Sequence, residues 1–153
     1  MNNEQSTLVS GPIRDSLTVP GRGEFSILRW GDDSEKPLLV FSHATGFNAQ
    51  TYTSLLTPLA DQFRIIAVDH RGHGLSEAPK QLSDLKGWDT YRDDLVGIMD
   101  VLAEPAFFSG HSMGATVSLL TAAQRPALSR GMLLIEPVLI PPGAGYMMAL
   151  SNL

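Results

Sequence analysis

The sequence predicts an α/β domain on a mostly parallel sheet, with an antiparallel hairpin at its N-terminal end. Three observations carry that expectation. Runs at 37–43, 63–70, 106–110 and 131–137 are apolar at most positions and are bounded by turn residues. Strands apolar on both faces suit a parallel sheet covered by helices. Segments with helical spacing lie between these runs, and such alternation implies one α/β layer structure with right-handed crossovers. Each cluster of chemically active residues then follows a predicted strand, and the C-terminal edge of an open α/β sheet is where ligands bind.

The elements follow in chain order. Residues 1–15 read as a polar lead-in. "SLTVP" at 16–20 and "FSILRW" at 25–30, joined by "GRGE", have the pattern of a hairpin. "PLLVFSH" at 37–43 is the next strand. Tyr52, Leu55, Leu56 and Leu59 recur at i, i+3, i+4 and i+7, which predicts a helix. "FRIIAVDH" at 63–70 is a further strand. Tyr91, Leu95, Ile98 and Leu102 repeat the helical spacing. Asp89 or Thr90 is placed to cap that helix, with Asp93 and Asp94 in its first turn, where carboxylates complement the helix dipole. "AFFSG" at 106–110 leads into a third helix marked by Met113, Val117 and Leu120 and ended near Pro126. "GMLLIEP" at 131–137 is the last strand. The strand order expected is 1-2-4-3-5-6.

Composition excludes several classes. Among 153 residues, 43% are hydrophobic and 18% charged, a globular rather than disordered balance. The net charge is −5 and no basic run occurs, which argues against a nucleic-acid surface. Without cysteine there is no disulfide frame and no thiolate chemistry. The opening "MNNEQSTLVS" lacks the basic and apolar regions of a secretory signal, and no apolar run is long enough to span a bilayer. A cytoplasmic protein with no membrane association is the expectation.

Gly110-His111-Ser112-Met113-Gly114 fits G-x-S-x-G between a strand and a helix. In that setting the serine occupies a strained turn that lifts its hydroxyl above the sheet. Glycines two residues either side let the helix pass close to the strand, and the helix N-terminus offers N–H groups to a developing oxyanion. Ser112 is therefore the candidate nucleophile, the other reading being a chance glycine turn. His43-Ala44-Thr45-Gly46 follows the strand expected beside the nucleophile strand. Its Thr45 N–H is a candidate second oxyanion donor beside that of Met113. Otherwise the segment is a turn with a structural histidine. In "DHRGHGLS" at 69–76, His70 and His73 lack Cys partners and helical i, i+4 spacing, so no metal site is expected. The segment reads as a pocket-wall turn with Asp69 and Arg71 in local hydrogen bonds.

"FSHATGFNAQTY", "IIAVDHRGHGLS" and "FFSGHSMGATVSLL", in that order, resemble the α/β-hydrolase superfamily, and "LLIEPVL" resembles its sixth strand. The resemblance covers residues 15–142. It implies an esterase, lipase or related acyl hydrolase that needs no cofactor and acts on a small ester-like substrate. It carries the nucleophile role to Ser112 and the oxyanion donors to Met113 and Thr45. His43, Gly46, Gly110, His111 and Gly114 fall on pocket or motif positions. The usual His-Gly of the oxyanion loop is His43-Ala44 here. Serine at the elbow speaks against the dehalogenase and epoxide-hydrolase branches.

The family sheet has about eight strands in a domain of ~250 residues, and this chain matches about six of them. The family order is Ser, acid, His, yet no histidine follows Ser112. The acid follows the seventh strand in most members and the sixth in some. Glu136 stands at the latter point, as the acid or as a strand-end carboxylate. On this reading residues 16–140 form an incomplete hydrolase core and 141–153 begin a cap segment cut short. The strand at 131–137 would be an apolar edge open to self-association. The function expected is the N-terminal portion of a serine hydrolase forming an acyl-enzyme on Ser112. The alternative is an inactive truncated or split chain with at most a small-molecule or fragment-binding role.

Overall fold

A computed structural model describes residues 11–77, 79, 81, 84 and 87–139. Its six strands form one sheet: β1 (Ile13–Val19), β2 (Gly23–Trp30), β3 (Leu38–Ser42), β4 (Arg64–Val68), β5 (Ala106–His111) and β6 (Ser129–Ile135). Their order is β1-β2-β4-β3-β5-β6, as expected. β1 pairs antiparallel with β2 and β2 antiparallel with β4, while β3, β4, β5 and β6 run parallel.

Alternation along the strands explains why both faces are apolar. Leu38, Val40, Ile66, Val68 and Phe108 point to one side. There they pack with Tyr91, Leu95, Ile98 and Met99 of α2 (Trp88–Leu102) and with Met113 and Val117 of α3 (Met113–Gln124). Leu39, Phe41, Ile65 and Ala67 point to the other side, against Ala49, Leu56 and Ala60. Fully covering both faces of β3 and β4 removes their side chains from water, at about 25 cal/mol for each Å² of apolar surface.

Several boundaries differ from the sequence reading. β1 begins at Ile13, inside the expected polar lead-in, because residues 13–19 find a complete antiparallel partner in residues 23–29. The expected helix around Tyr52–Leu59 is broken into a 3₁₀ turn (Ala49–Tyr52), one α turn, α1 (Thr53–Leu56), and a second 3₁₀ turn (Thr57–Asp61). Pro58 sits in the first turn of the last segment and lacks the N–H that would continue an α ladder. α2 starts at Trp88, so neither Asp89 nor Thr90 is its N-cap. Gly87 takes that position with φ +62° and no side-chain cap. The last expectation, a cap segment at 141–153, lies outside the described residues.

β6 ends the described sheet and pairs with β5 alone, leaving Met132 and Leu133 exposed. No helix among the described residues is long and apolar enough to cross a membrane.

Candidate active site

β5 delivers the chain to Ser112, and α3 carries it away at the next residue. Ser112 has φ +53° and ψ −115°, a conformation that costs a non-glycine residue of order 1–3 kcal/mol. Two backbone bonds hold it there. Ser112 N–H donates to the Ile135 carbonyl at 2.9 Å, and Thr116 N–H donates to the Ser112 carbonyl at 3.1 Å. The sheet edge thus fixes the strained residue from one side and the first turn of α3 from the other. No hydrogen bond engages the Ser112 hydroxyl or the Met113 N–H among the described residues.

The loop after β3 faces this elbow. Phe47 N–H donates to the Ala44 carbonyl at 3.1 Å, closing a β-turn whose third residue, Gly46, has the positive φ (+79°) a type II turn requires. The first turn residue is tied down, since Ala44 N–H donates to the Tyr52 hydroxyl at 3.2 Å. Thr45 is exposed, and its N–H has no partner among the described residues.

All four histidines are described, and none hydrogen-bonds the Ser112 hydroxyl. His111, although adjacent in sequence, turns Nδ1 to the Tyr52 hydroxyl at 2.8 Å and Nε2 toward Glu136 at 3.7 Å. Glu136 follows β6 with φ +49°, and its side chain is largely exposed. His73 donates from Nδ1 to the Arg71 carbonyl at 3.0 Å.

His43 is buried beneath the Ala44–Phe47 turn. Its Nδ1–H donates to the Ala44 carbonyl at 2.7 Å, and its Nε2 accepts from His70 N–H at 2.9 Å. The second bond requires a neutral ring. Burial is the main cause that lowers the His43 pKa from 6.5 to about 4. His70, also buried, is held well below 6.5 by burial first and then by the His43 and His73 rings. The unfolded chain therefore binds more protons than the native one below pH 6.5. The His43 contribution, about 3 kcal/mol, should be lost as pH drops from about 6.5 to about 4, and His70 adds to the fall in the same direction. Urea midpoints between pH 7 and 4 measure this, and a flat profile down to pH 5 would contradict the buried neutral imidazole.

The turn after β4 holds its place through buried charge. Asp69 accepts from Ala49 N–H at 2.8 Å, Leu75 N–H at 3.1 Å and Arg14 at 2.8 Å. The Arg71 carbonyl takes part in a local bond, from His73, as expected, but among the described residues its guanidinium reaches out of the turn. It binds Asp94 of α2 with two nitrogens and donates to the Arg22 carbonyl at 2.7 Å. Burial of this kind needs partners from distant elements, which sequence proximity does not reveal. A concavity of about 670 Å³ lies between the β1–β2 turn and α2, and no elbow residue lines it. A groove of about 320 Å³ beside the elbow is lined by Trp88, Thr116, Leu120, Val138 and Leu139, among others.

A mixed sheet of this order, with a positive-φ serine between β5 and α3, defines an α/β-hydrolase. The chain belongs to the family described as serine aminopeptidase, S33, whose model matches residues 33–152. It is 39% identical over 103 residues to 2-(acetamidomethylene)succinate hydrolase of Mesorhizobium japonicum, covering 65% of this chain and 35% of that protein. Against human monoglyceride lipase it is 35% identical over 152 residues, covering 86% and 48% respectively. The crystal structure of E-2-(acetamidomethylene)succinate hydrolase superposes with TM-score 0.70 at 34% identity, over 79% of this chain and 43% of that one. A thioesterase domain from the curacin biosynthetic pathway superposes with TM-score 0.79 at 22% identity, over 93% and 52%, a likeness of fold. The chain thus spans less than half the length of these curated relatives.

Proposed function

We propose that this chain carries the nucleophile and oxyanion hole of a serine hydrolase acting on carboxylic esters or related acyl compounds. Ser112 is the nucleophile, and the Met113 and Thr45 N–H groups receive the oxyanion. The observation that supports this most strongly is the left-handed φ of Ser112 at a strand–helix junction, held by Ile135 and Thr116. The family match and the hydrolase relatives favour the same class. Glu136, at the end of β6, is the candidate acid. No histidine is assigned as the base, because none of the four hydrogen-bonds the Ser112 hydroxyl among the described residues. An unassisted serine hydroxyl is a weak nucleophile at neutral pH.

Fluorophosphonate labelling read by mass spectrometry tests the assignment. Slow modification confined to Ser112, absent in Ser112→Ala, is expected. Turnover of nitrophenyl esters should be slight, since loss of a triad member leaves only about 10³–10⁴-fold over water. Modification elsewhere, or survival of labelling in Ser112→Ala, would remove Ser112 from the mechanism. Rapid stoichiometric labelling would mean that a base within these residues reaches the hydroxyl after all.

A further inference from the structure

We propose that Tyr52 and His111 are positioning residues, whose hydrogen bond latches the Ala44–Phe47 turn to the elbow and sets where the Thr45 N–H points. The proposal rests on Thr45 being an oxyanion donor. The latch itself stands on separate geometry.

Tyr52 meets the turn at both of its ends. Its hydroxyl accepts from Ala44 N–H at 3.2 Å, and its ring meets that of Phe47 edge-on with centroids 6.3 Å apart. Phe41 of β3 supports the same ring from below, with centroids 4.7 Å apart. On the elbow side the hydroxyl is 2.8 Å from His111 Nδ1. His111 precedes Ser112 directly, so its anchor is one residue from the strained position.

One assignment of the protons suits all of these contacts. A phenol has one proton to donate. Burial raises the Tyr52 pKa above 10, so the hydroxyl keeps it. Ala44 N–H donates to the Tyr52 oxygen, and we assign the phenolic proton to His111 Nδ1, the direction that leaves Nε2–H facing Glu136. That nitrogen must carry a lone pair, and a neutral ring then has its proton on Nε2. Nε2–H faces the Glu136 carboxylate at 3.7 Å, beyond a hydrogen bond but close enough to favour this tautomer. The result is one polar chain from Ala44 through Tyr52 and His111 toward Glu136.

The test uses the full chain labelled with ¹⁵N and three variants. Tyr52→Phe keeps the ring and removes the hydroxyl. His111→Leu removes the acceptor. His111→Asn restores an acceptor oxygen near the position of Nδ1. Long-range ¹H–¹⁵N spectra should show wild-type His111 as the Nε2–H tautomer, and an Nδ1–H tautomer overturns the latch. Tyr52→Phe and His111→Leu should speed hydrogen exchange at Ala44 and slow fluorophosphonate labelling of Ser112, each about tenfold, the worth of one hydrogen bond. His111→Asn should return both to within about twofold of wild type. Unchanged exchange in Tyr52→Phe, or no recovery in His111→Asn, also overturns it. If Ser112 is labelled in no variant while the tautomer and exchange results hold, the latch stands and the hydrolase assignment fails instead.

Discussion

Gly114→Ala should lower the stability of this protein by about 3 kcal/mol or more, at or beyond the upper end for inserting a single group into a packed core. In most helices the same change is favourable by about 0.5–1 kcal/mol, because alanine loses less backbone entropy. Gly114 is the second residue of α3, and its φ is not in the left-handed region, so conformation gives alanine no penalty here. Space decides the sign. A Cβ on Gly114 would overlap the carbonyl carbon and oxygen of Ser42 and come within 2.6 Å of the His43 oxygen. These are backbone atoms at the end of a strand paired on both edges, and they have no rotamer by which to yield. Gly110 lies in the same crossing, where a Cβ would sit 2.5 Å from the Gly114 carbonyl carbon. Gly114→Ala pushes the start of α3 away from β3 and Gly110→Ala pushes it away from β5, and the Met113 N–H moves with it. A drop in melting temperature of about 6–12 °C follows for a chain of this size. Gly31→Ala is the control, with φ +68° and no atom within 4 Å, and should cost only the left-handed backbone term of about 1–2 kcal/mol. Equal melting temperatures for Gly114→Ala and wild type would mean that helix and strand do not meet as described.

That crossing shows which parts of the molecule were legible in the sequence. The elbow was, because its requirements are local: a strand, a serine in a strained turn, and small residues where helix passes strand. The central strands were legible because both faces are buried, leaving unbroken apolar runs at 38–41 and 65–68. β1 was less so, since most of its residues are exposed and the start at Ile13 reads as polar lead-in. The strand order was expected from the four chemical clusters at strand ends, and the pairing of the six strands agrees with it. Contacts across long separations were hidden. Tyr52 and His111 are 59 residues apart, and Tyr52 read as one apolar position of a helix rather than as a hydroxyl beside the elbow. His43 read as a motif residue, and only the fold shows that its ring is buried and spanned by two backbone groups.

Asp94 is the sharpest case, and it carries the second large effect expected. In sequence it follows Asp93 and reads as one of two carboxylates in the first turn of a helix. Because α2 begins at Trp88, Asp94 lies in the second turn and faces inward, with no side-chain exposure. Arg22 donates from Nε to Oδ1 at 2.7 Å. Arg71 donates from Nη2 to Oδ1 at 2.6 Å and from Nε to Oδ2 at 2.8 Å. One carboxylate thereby joins the β1–β2 turn, the turn after β4 and α2, and Arg71 lies over the Phe25 ring at 5.3 Å. Removing one member of a buried ion network costs about 3–5 kcal/mol, chiefly because the remaining charge is left buried without its partner. The guanidiniums here keep 30% and 15% of their side-chain exposure, so water relieves part of that cost and about 3 kcal/mol is expected for Asp94→Ala. Asp100→Ala offers the contrast. Its bond to Arg125 joins two exposed side chains, and such pairs contribute about 0–1 kcal/mol. In 1 M salt the Asp100 effect should vanish while most of the Asp94 effect remains, because screening acts on solvent-exposed charge. Urea denaturation of the two variants at low and high salt measures both. Similar small losses that vanish in salt would place Asp94 in contact with solvent, and the turn that carries His70 and His73 would then need another anchor.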